Sequence, residues 1–430
     1  MNFAYLHPAD QLVMIMQRIY ERGMTTTSGG NLSILDDDGN IWITPAGIDK
    51  GTLSRADIIC VKKDGTCEGI HKPSSELPFH ASIYKRRPDI RAVLHAHPPA
   101  LVAFSIARKL PDVDLLSSVR KTCGELSMAT YAVPGSNQLG ENIAHEFEKG
   151  INIVLLENHG VCIGAQDLFA AFMAFETLEY SASLEIVANK IGTPNPIPAE
   201  EFAITQTRNH LLMDDFIPKT HSTEECAARR DMITFIHRSY RQGLFNATHG
   251  TYSVKLADGS FLITPFGFDR AYLQEEDLVR IKAGMKEQGK IPSRAVKFHE
   301  AIYQENPEIG AILIAHPLHM MAFAVTDADF DPRTIPESYI FLREVRKEPF
   351  EEIYTYPAAA AKKFNRHTPV ILYKNDCVAV TGETLLQAFD RLEVAEATAN
   401  SIIASSDLGP VVHITAQEID ELKEAFHLKD

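Results

Sequence analysis

The sequence repeats itself once, at a distance of about half its length. Ile43-Thr-Pro-Ala-Gly-Ile-Asp49 returns as Ile263-Thr-Pro-Phe-Gly-Phe-Asp269, and Phe79-His80-Ala-Ser-Ile-Tyr84 as Phe298-His299-Glu-Ala-Ile-Tyr303. Pro88-Asp-Ile-Arg-Ala-Val-Leu-His-Ala-His-Pro98 returns as Pro307-Glu-Ile-Gly-Ala-Ile-Leu-Ile-Ala-His-Pro317. The offsets are 220, 219 and 219 residues. Solenoid units run to about 20–50 residues, so this period is that of a duplicated whole domain. The 430 residues are therefore expected to form a first domain over 1–192, a connector over 193–221 and a second domain over 222–430. Gly192-Thr-Pro-Asn-Pro-Ile-Pro198 gives the connector polyproline character. Residues 199–221 carry weak periodicity and can be a tail of the first domain.

The chemistry of the first copy concentrates between Lys72 and Pro99. Apolar Ala92, Val93 and Leu94 lead into His95-Ala96-His97, and side chains at i and i+2 of a strand leave one face about 6–7 Å apart. Two imidazoles so held can reach one cation, for which neutral imidazole is a common ligand. Pro98 and Pro99 cannot donate to a sheet ladder, which ends the strand just beyond the pair. His159, in the turn Asn158-His159-Gly160 after apolar Ile153–Leu156, is the candidate third ligand. Glu76, between Ser75 and Leu77, is the candidate fourth group, as a ligand or as a proton carrier. With 17 histidines in the chain, His-x-His alone is a weak signal, and the combination carries the reading.

Ser28-Gly-Gly-Asn-Leu-Ser33, Ile43-Thr-Pro-Ala-Gly47, Pro73-Ser-Ser-Glu-Leu-Pro-Phe-His80, His95-Ala-His97 and Asn158-His159-Gly160 stand in the order and spacing of the class II aldolase/adducin family, which this sequence resembles. The match is nearest to the fuculose-phosphate-aldolase branch. The resemblance implies two copies of a three-layer α/β/α fold with a mainly antiparallel sheet. It also implies zinc-dependent cleavage of a ketose phosphate to dihydroxyacetone phosphate and an aldehyde. It places the phosphate among Asn31, Ala46, Gly47, Ser74 and Ser75. Gly29, Gly30 and Asn31 form a turn whose amides can approach an anion closely.

The second copy differs where the chemistry would be. Glu76 is matched by Ala295, His95 by Ile314, His159 by Asp376 and Asn31 by Thr251, while His97 keeps a counterpart in His316. One imidazole and a distant carboxylate make a poor zinc site, so this copy is expected to lack metal. The resemblance also implies a tyrosine, supplied by an adjacent subunit, as a second acid. Copy one has none in Asp114-Leu-Leu-Ser-Ser118, whereas copy two carries Tyr339 at the equivalent distance before Tyr354. Tyr339 is thus the candidate acid lent to copy one. Relatives resemble rings of four subunits, so two chains of two domains are expected to form a homodimer with a pseudo-tetrameric ring.

A net charge of −15 and the absence of a basic block argue against nucleic acid or anionic membrane as partner. No apolar run approaches 18 residues, and the N-terminus lacks a signal-peptide pattern, so a cytoplasmic protein is expected. Six cysteines without a C-x-x-C read as reduced, buried or semi-buried thiols. Alternatives with the same site are a sugar-phosphate 4-epimerase, a tetronate-phosphate decarboxylase and a dehydratase. Epimerase relatives carry Asp at the place of Glu76. A non-catalytic adducin-like interaction protein would suit copy two, but copy one has every ligand.

Local signals outline the elements. Leu12, Ile15, Met16 and Ile19 share a helical face over 10–22, closed by Gly23. Ser222-Thr-Glu-Glu225 has capping-box spacing. Asp38-Gly39 and Asp258-Gly259 mark hairpins. A helix is expected over about 75–87, a short extended piece over 131–134, and a long helix after Asp167, matched by another near Thr384.

Overall fold

A computed structural model describes residues 3–206 and 212–428, which form two compact units, one centred on residues 1–183 and one on 184–430. Unit one holds an eight-stranded sheet: β1 (Asn31–Leu35), β2 (Ile41–Ile43), β3 (Ile59–Val61), β4 (Cys67–Glu68), β5 (Ala92–Ala96), β6 (Leu126–Ala129), β7 (Ile153–Leu156) and β8 (Gly160–Ala165). The order is β4-β3-β2-β1-β5-β8-β7-β6, antiparallel throughout except for the parallel edge pair β6/β7. The helices are α1 (Pro8–Glu21), α2 (Leu77–Arg86), α3 (Pro99–Ala107), α4 (Ser117–Cys123), α5 (Asn137–Glu148) and α6 (Leu168–Ala188).

Strand alternation sorts the side chains into layers. Val93, Val154, Leu156 and Cys162 face α2 and α5 and pack on Phe79, Ile83, Ile143 and Phe147. Helices α1 and α3 meet the same sheet's strands, so the arrangement is α/β/α. His95 has the parity of Val93, and its ring meets Phe79 edge-on at 5.8 Å, which fixes the face on which the site opens.

Unit two repeats the plan. Helix α7 (Ala199–Gln206) and strand β9 (Asp215–Phe216) come first, followed by α8 (Thr223–Gln242), β10 (Thr251–Lys255), β11 (Phe261–Ile263), β12 (Val279–Lys282), β13 (Met285–Glu287), α9 (Val296–Glu305) and β14 (Ala311–Ala315). Then come α10 (Leu318–Ala324), α11 (Pro336–Leu342), β15 (Val345–Glu348), α12 (Glu352–Thr355), α13 (Pro357–Ala361), β16 (Val370–Tyr373), β17 (Cys377–Gly382), α14 (Leu385–Ser405) and α15 (Ala416–Ala425). The strand order β15-β16-β17-β14-β10-β11-β12-β13-β9 reproduces that of unit one with one strand added at the edge. The fold is thus two three-layer copies with mixed, mainly antiparallel sheets.

Four local expectations are corrected. The added strand β9 pairs in parallel with β13, so the end of the 199–221 segment belongs to the second sheet and is not a tail of the first domain. The extended piece lies at Leu126–Ala129, where it can pair with β7, and not at 131–134, where Tyr131 and Val133 are exposed. Ser222 caps α8 by accepting from the Glu225 amide, but the Glu225 carboxylate turns inward to Arg229 and Arg280 and does not close a capping box. Cys67 and Cys226 are exposed, while Cys60, Cys123, Cys162 and Cys377 are buried. Among the described residues no helix is long and apolar enough to cross a membrane.

Candidate active site

Strand β5 delivers His95 fully buried, and His97 follows at the strand's end. Beyond them, the amides of Ala100 and Leu101 both donate to Glu179 at 2.9 Å, anchoring the first turn of α3. Burial raises the Glu179 carboxyl to about 7. His159 comes from the β7–β8 turn, where Asn158 adopts φ 55° and the His159 amide donates to Leu156. The three imidazoles meet: ring centroids lie 4.8 Å (His95–His97), 4.8 Å (His95–His159) and 4.9 Å (His97–His159) apart. One nitrogen from each falls within 4.8 Å of the others.

Two glycines make room for this. A Cβ on Gly160 would stand 2.5 Å from the Ala96 carbonyl oxygen and 2.7 Å from His97 Cδ2, and one on Gly29 would stand 2.9 Å from His97 Nδ1. Sequence reasoning placed Gly29 in an anion-binding turn; its neighbour in space is the His97 ring.

The electrostatics favour neutral rings. His95 Nδ1–H donates to the Val161 carbonyl at 2.9 Å, which leaves the Nε2 lone pair directed at the cluster. Burial, with His159 adding repulsion, lowers His95 to about 3; burial, with both neighbouring rings, does the same for His97. Burial also lowers His159, while Glu76 opposes the shift. His97 Nε2 lies 3.1 Å from His95 Nε2. Glu76, at the N-terminus of α2, puts Oε2 3.4 Å from His95 Nε2, and its buried Oε1 has no hydrogen-bond partner. Three neutral nitrogen donors beside a carboxylate form a donor set that fits a divalent cation.

The other predicted residues divide into two groups. Ser74 N–H donates to the Thr44 carbonyl at 3.2 Å, and Pro45 bridges Pro73, so the 44–47 and 72–75 loops run side by side. Ala46, Gly47 and Ser75 are exposed on them. The Ala46 amide is taken by Lys72, and the Ser74 hydroxyl by the Glu76 amide at 3.2 Å. Gly30, at φ 72°, abuts β5, where a Cβ would lie 2.7 Å from the His95 carbonyl oxygen. The Asn31 side chain is bonded within the protein: its amide nitrogen donates to Glu76 Oε2 at 2.6 Å, and its oxygen meets His80 Nε2 at 2.5 Å. Tyr339 lies half-buried on α11 of unit two, with the Arg343 guanidinium 5.3 Å from its ring centroid.

Sequence reasoning missed two residues. His80 was read only as part of a repeat motif. Lys50 is buried beneath the 44–47 loop, where its ammonium donates to the Pro45 carbonyl at 2.6 Å and burial lowers it to about 8. Its counterpart Arg270 is buried too, but donates to other carbonyls, those of Gly250 and Phe268. That both copies keep a cation here was the available signal.

The sequence profile of the family described as "Class II Aldolase and Adducin N-terminal domain" matches residues 10–186 and again 230–403. The chain belongs to this family. It does so as a tandem duplication, each match covering one copy. A 5-deoxy-D-ribulose 1-phosphate aldolase of Bacillus thuringiensis is 32% identical over 195 residues, 45% of this chain and 90% of that protein. A 3-oxo-tetronate 4-phosphate decarboxylase of Haemophilus influenzae is 32% identical over 177 residues, 40% of this chain and 84% of that protein. An L-fuculose phosphate aldolase of Methanococcus maripaludis is 34% identical over 188 residues, 42% of this chain and 97% of that protein.

In the second class II aldolase copy the donor set is dispersed. Ile314 and Ala295 are buried where copy one has His95 and Glu76. His249 takes the position of Gly29, and its ring stands 5.6 Å from that of His316. Among the described residues, His95, His97 and His159 are the only group of three such side chains close enough to hold one ion.

Proposed function

We propose that the first copy is a divalent-metal-dependent lyase that cleaves a ketose phosphate of the fuculose or ribulose type to dihydroxyacetone phosphate and an aldehyde. The observation that carries this reading is the convergence of three neutral imidazoles, with Glu76 Oε2 3.4 Å from His95 Nε2. His95, His97 and His159 would hold the ion, with zinc the metal suited to a nitrogen-rich set, and Glu76 is an adjacent oxygen donor. When bound, such an ion supplies Lewis-acid polarisation of the substrate carbonyl, worth several kcal/mol.

The chain's own residues supply the rest. The 44–47 and 72–75 loops, with Gly30 nearby, are the candidate seat for the phosphate, through Gly47, Ser74 and Ser75. Lys50 places a cation under that seat in a chain of net charge −15. The substrate hydroxyl gives up its proton as the carbon–carbon bond breaks. The electron pair stays with the carbonyl-side fragment, whose carbon then takes a proton from Glu76. Tyr339, the acid of the reverse condensation, is the proposed acceptor of the hydroxyl proton as its conjugate base, brought in by association of two chains as a homodimer. Glu76 starts the cycle protonated and is reprotonated through solvent as Tyr339 gives its proton up. Tyr339→Phe is expected to lower kcat about 100-fold at unchanged metal content; an unaltered kcat would remove Tyr339 from the reaction.

A second reading is decarboxylation of a 3-oxo-tetronate phosphate, favoured by the 32% identity to the Haemophilus influenzae protein. It too leaves an electron pair beside a carbonyl, but it releases carbon dioxide and has no hydroxyl proton to accept. Tyr339→Phe would then leave turnover intact, which separates the two. The deciding assay uses the full chain with its metal content measured. Dihydroxyacetone phosphate release is followed from fuculose 1-phosphate and 5-deoxyribulose 1-phosphate, and carbon dioxide release from 3-oxo-tetronate 4-phosphate. Activity that is lost to a chelator and regained with Zn²⁺ supports the proposal; turnover that survives metal removal sinks it.

A further inference from the structure

Glu76 stands at the end of a buried line of hydrogen bonds that runs between α2 and β1 from Tyr84. Tyr84 Oη and Ser33 Oγ are 2.6 Å apart, Ser33 Oγ and His80 Nδ1 2.6 Å, His80 Nε2 and Asn31 Oδ1 2.5 Å, and Asn31 Nδ2 and Glu76 Oε2 2.6 Å. Asn31, Ser33, His80 and Glu76 are each less than one-tenth exposed.

The direction of every bond follows from its last acceptor. With the exchangeable proton of Glu76 carried on Oε1 or absent, Oε2 can only accept, so Asn31 must turn its NH₂ group to Glu76 and its carbonyl oxygen to His80. That oxygen needs a donor, so the His80 proton sits on Nε2. Burial keeps the ring neutral, which leaves Nδ1 bare to accept the Ser33 hydroxyl proton. Ser33 Oγ is then free to accept from Tyr84. All the donors point one way, and bonds aligned in this manner polarise one another.

The second copy shows which links belong to the fold. Tyr303, Ser253 and His299 repeat the first two bonds at 2.7 Å each. There the line stops, because Thr251 replaces Asn31 and Ala295 replaces Glu76, and His299 Nε2 is buried without a partner. Thr251 bonds Ser293 instead, at 2.7 Å. The copy without the imidazole cluster has thus lost the terminal links and kept the inner ones.

We propose that Ser33, His80 and Asn31 are positioning residues that hold the Glu76 carboxylate by Oε2 and thereby present Oε1 as the oxygen that exchanges a proton with substrate. This rests on reading Glu76 as the proton carrier of the proposed reaction. An untethered carboxylate could rotate and offer either oxygen. A tethered one has one oxygen committed to Asn31, 3.4 Å from His95 Nε2, and one without a hydrogen-bond partner.

The test has two arms. In the metal-stripped full chain, ¹⁵N spectra of the histidine rings, assigned with His80→Gln, should show His80 protonated on Nε2 and bare at Nδ1. The opposite tautomer overturns the proposal. In the metal-loaded chain, His80→Phe should lower kcat about 100-fold, with KM and metal content within about threefold of wild type. His80→Gln, whose amide can donate to Asn31, should recover most of that loss. The matching change His299→Phe, at the end of the interrupted line, should leave kcat within about twofold. Wild-type kcat in His80→Phe, or an equal loss in His299→Phe, overturns the proposal. If His80→Phe does not fold, Ser33→Ala, which deletes only the donor to Nδ1, should cost kcat about fivefold, and no loss there is the contrary result. A wild-type chain that turns over none of the substrates defeats the lyase reading, while the ring spectra still decide the His80 tautomer.

Discussion

His95→Ala is expected to cost the chain its bound metal and at least about 10³ in kcat/KM, since Lewis-acid stabilisation is worth several kcal/mol and each 1.36 kcal/mol is tenfold. His95 is the central member of the imidazole cluster by geometry. Its ring is 4.8 Å from each of the other two, it is fully buried, and the Val161 carbonyl fixes its tautomer with Nε2 toward the cluster. Alanine leaves His97 and His159, which make the kind of incomplete set found in copy two. Stability in the absence of metal should change little, because the substitution also removes a crowded, desolvated imidazole held at about 3. Metal analysis after gel filtration checks the first claim, and His316→Ala is the control. His316 has no comparable partners among the described residues, so its loss should leave the metal count unaltered. Full metal retention by His95→Ala would show that the ion, if any, binds elsewhere.

Glu76→Gln should lower kcat by about 10²–10⁴, the range for loss of a positioned general acid or base. The substitution preserves shape and keeps a carbonyl oxygen for Asn31 to bond. It replaces the oxygen left without a partner, Oε1, by an NH₂ that cannot carry the proton. The same variant separates the two roles open to this residue. If Glu76 only moves a proton, metal content and KM stay near wild type while kcat falls. If it is also a ligand, metal affinity falls with kcat. Steady-state kinetics alongside metal titration read both, and a fully active Glu76→Gln would end the case for this carboxylate as proton carrier.

Much of this molecule was legible because its signals are short-range. Asp167 caps α6 by accepting from the Ala170 amide at 2.7 Å, three residues away, and Gly39 turns the β1–β2 hairpin at φ 83°. The i, i+2 spacing of His95 and His97 needs only the pleat of a strand to become a shared direction. The readings that changed depend on partners remote in sequence. Asn31 looked like an anion-binding turn residue until its amide was found on Glu76, 45 positions away. Gly29 looked like part of the same turn until the His97 ring filled the space beside it. Asp215–Phe216 had no pattern to show, because two residues become a strand only when β13 offers an edge.

From the sequence alone follow the duplication, the family, the order of the elements and the set of residues able to do metal-assisted chemistry. These rest on recurrence, which is read by comparing one stretch of sequence with another, and on spacing and local backbone preference, which act within a few positions. Folding in three dimensions decided which nitrogen of His95 faces its neighbours, which oxygen of Glu76 is tethered, and that a lysine lies under the 44–47 loop. Those outcomes depend on which buried donors find which acceptors once strands far apart in the chain lie side by side. A burial cost that must be met by some partner does not reveal, from one end of the bond, where that partner is.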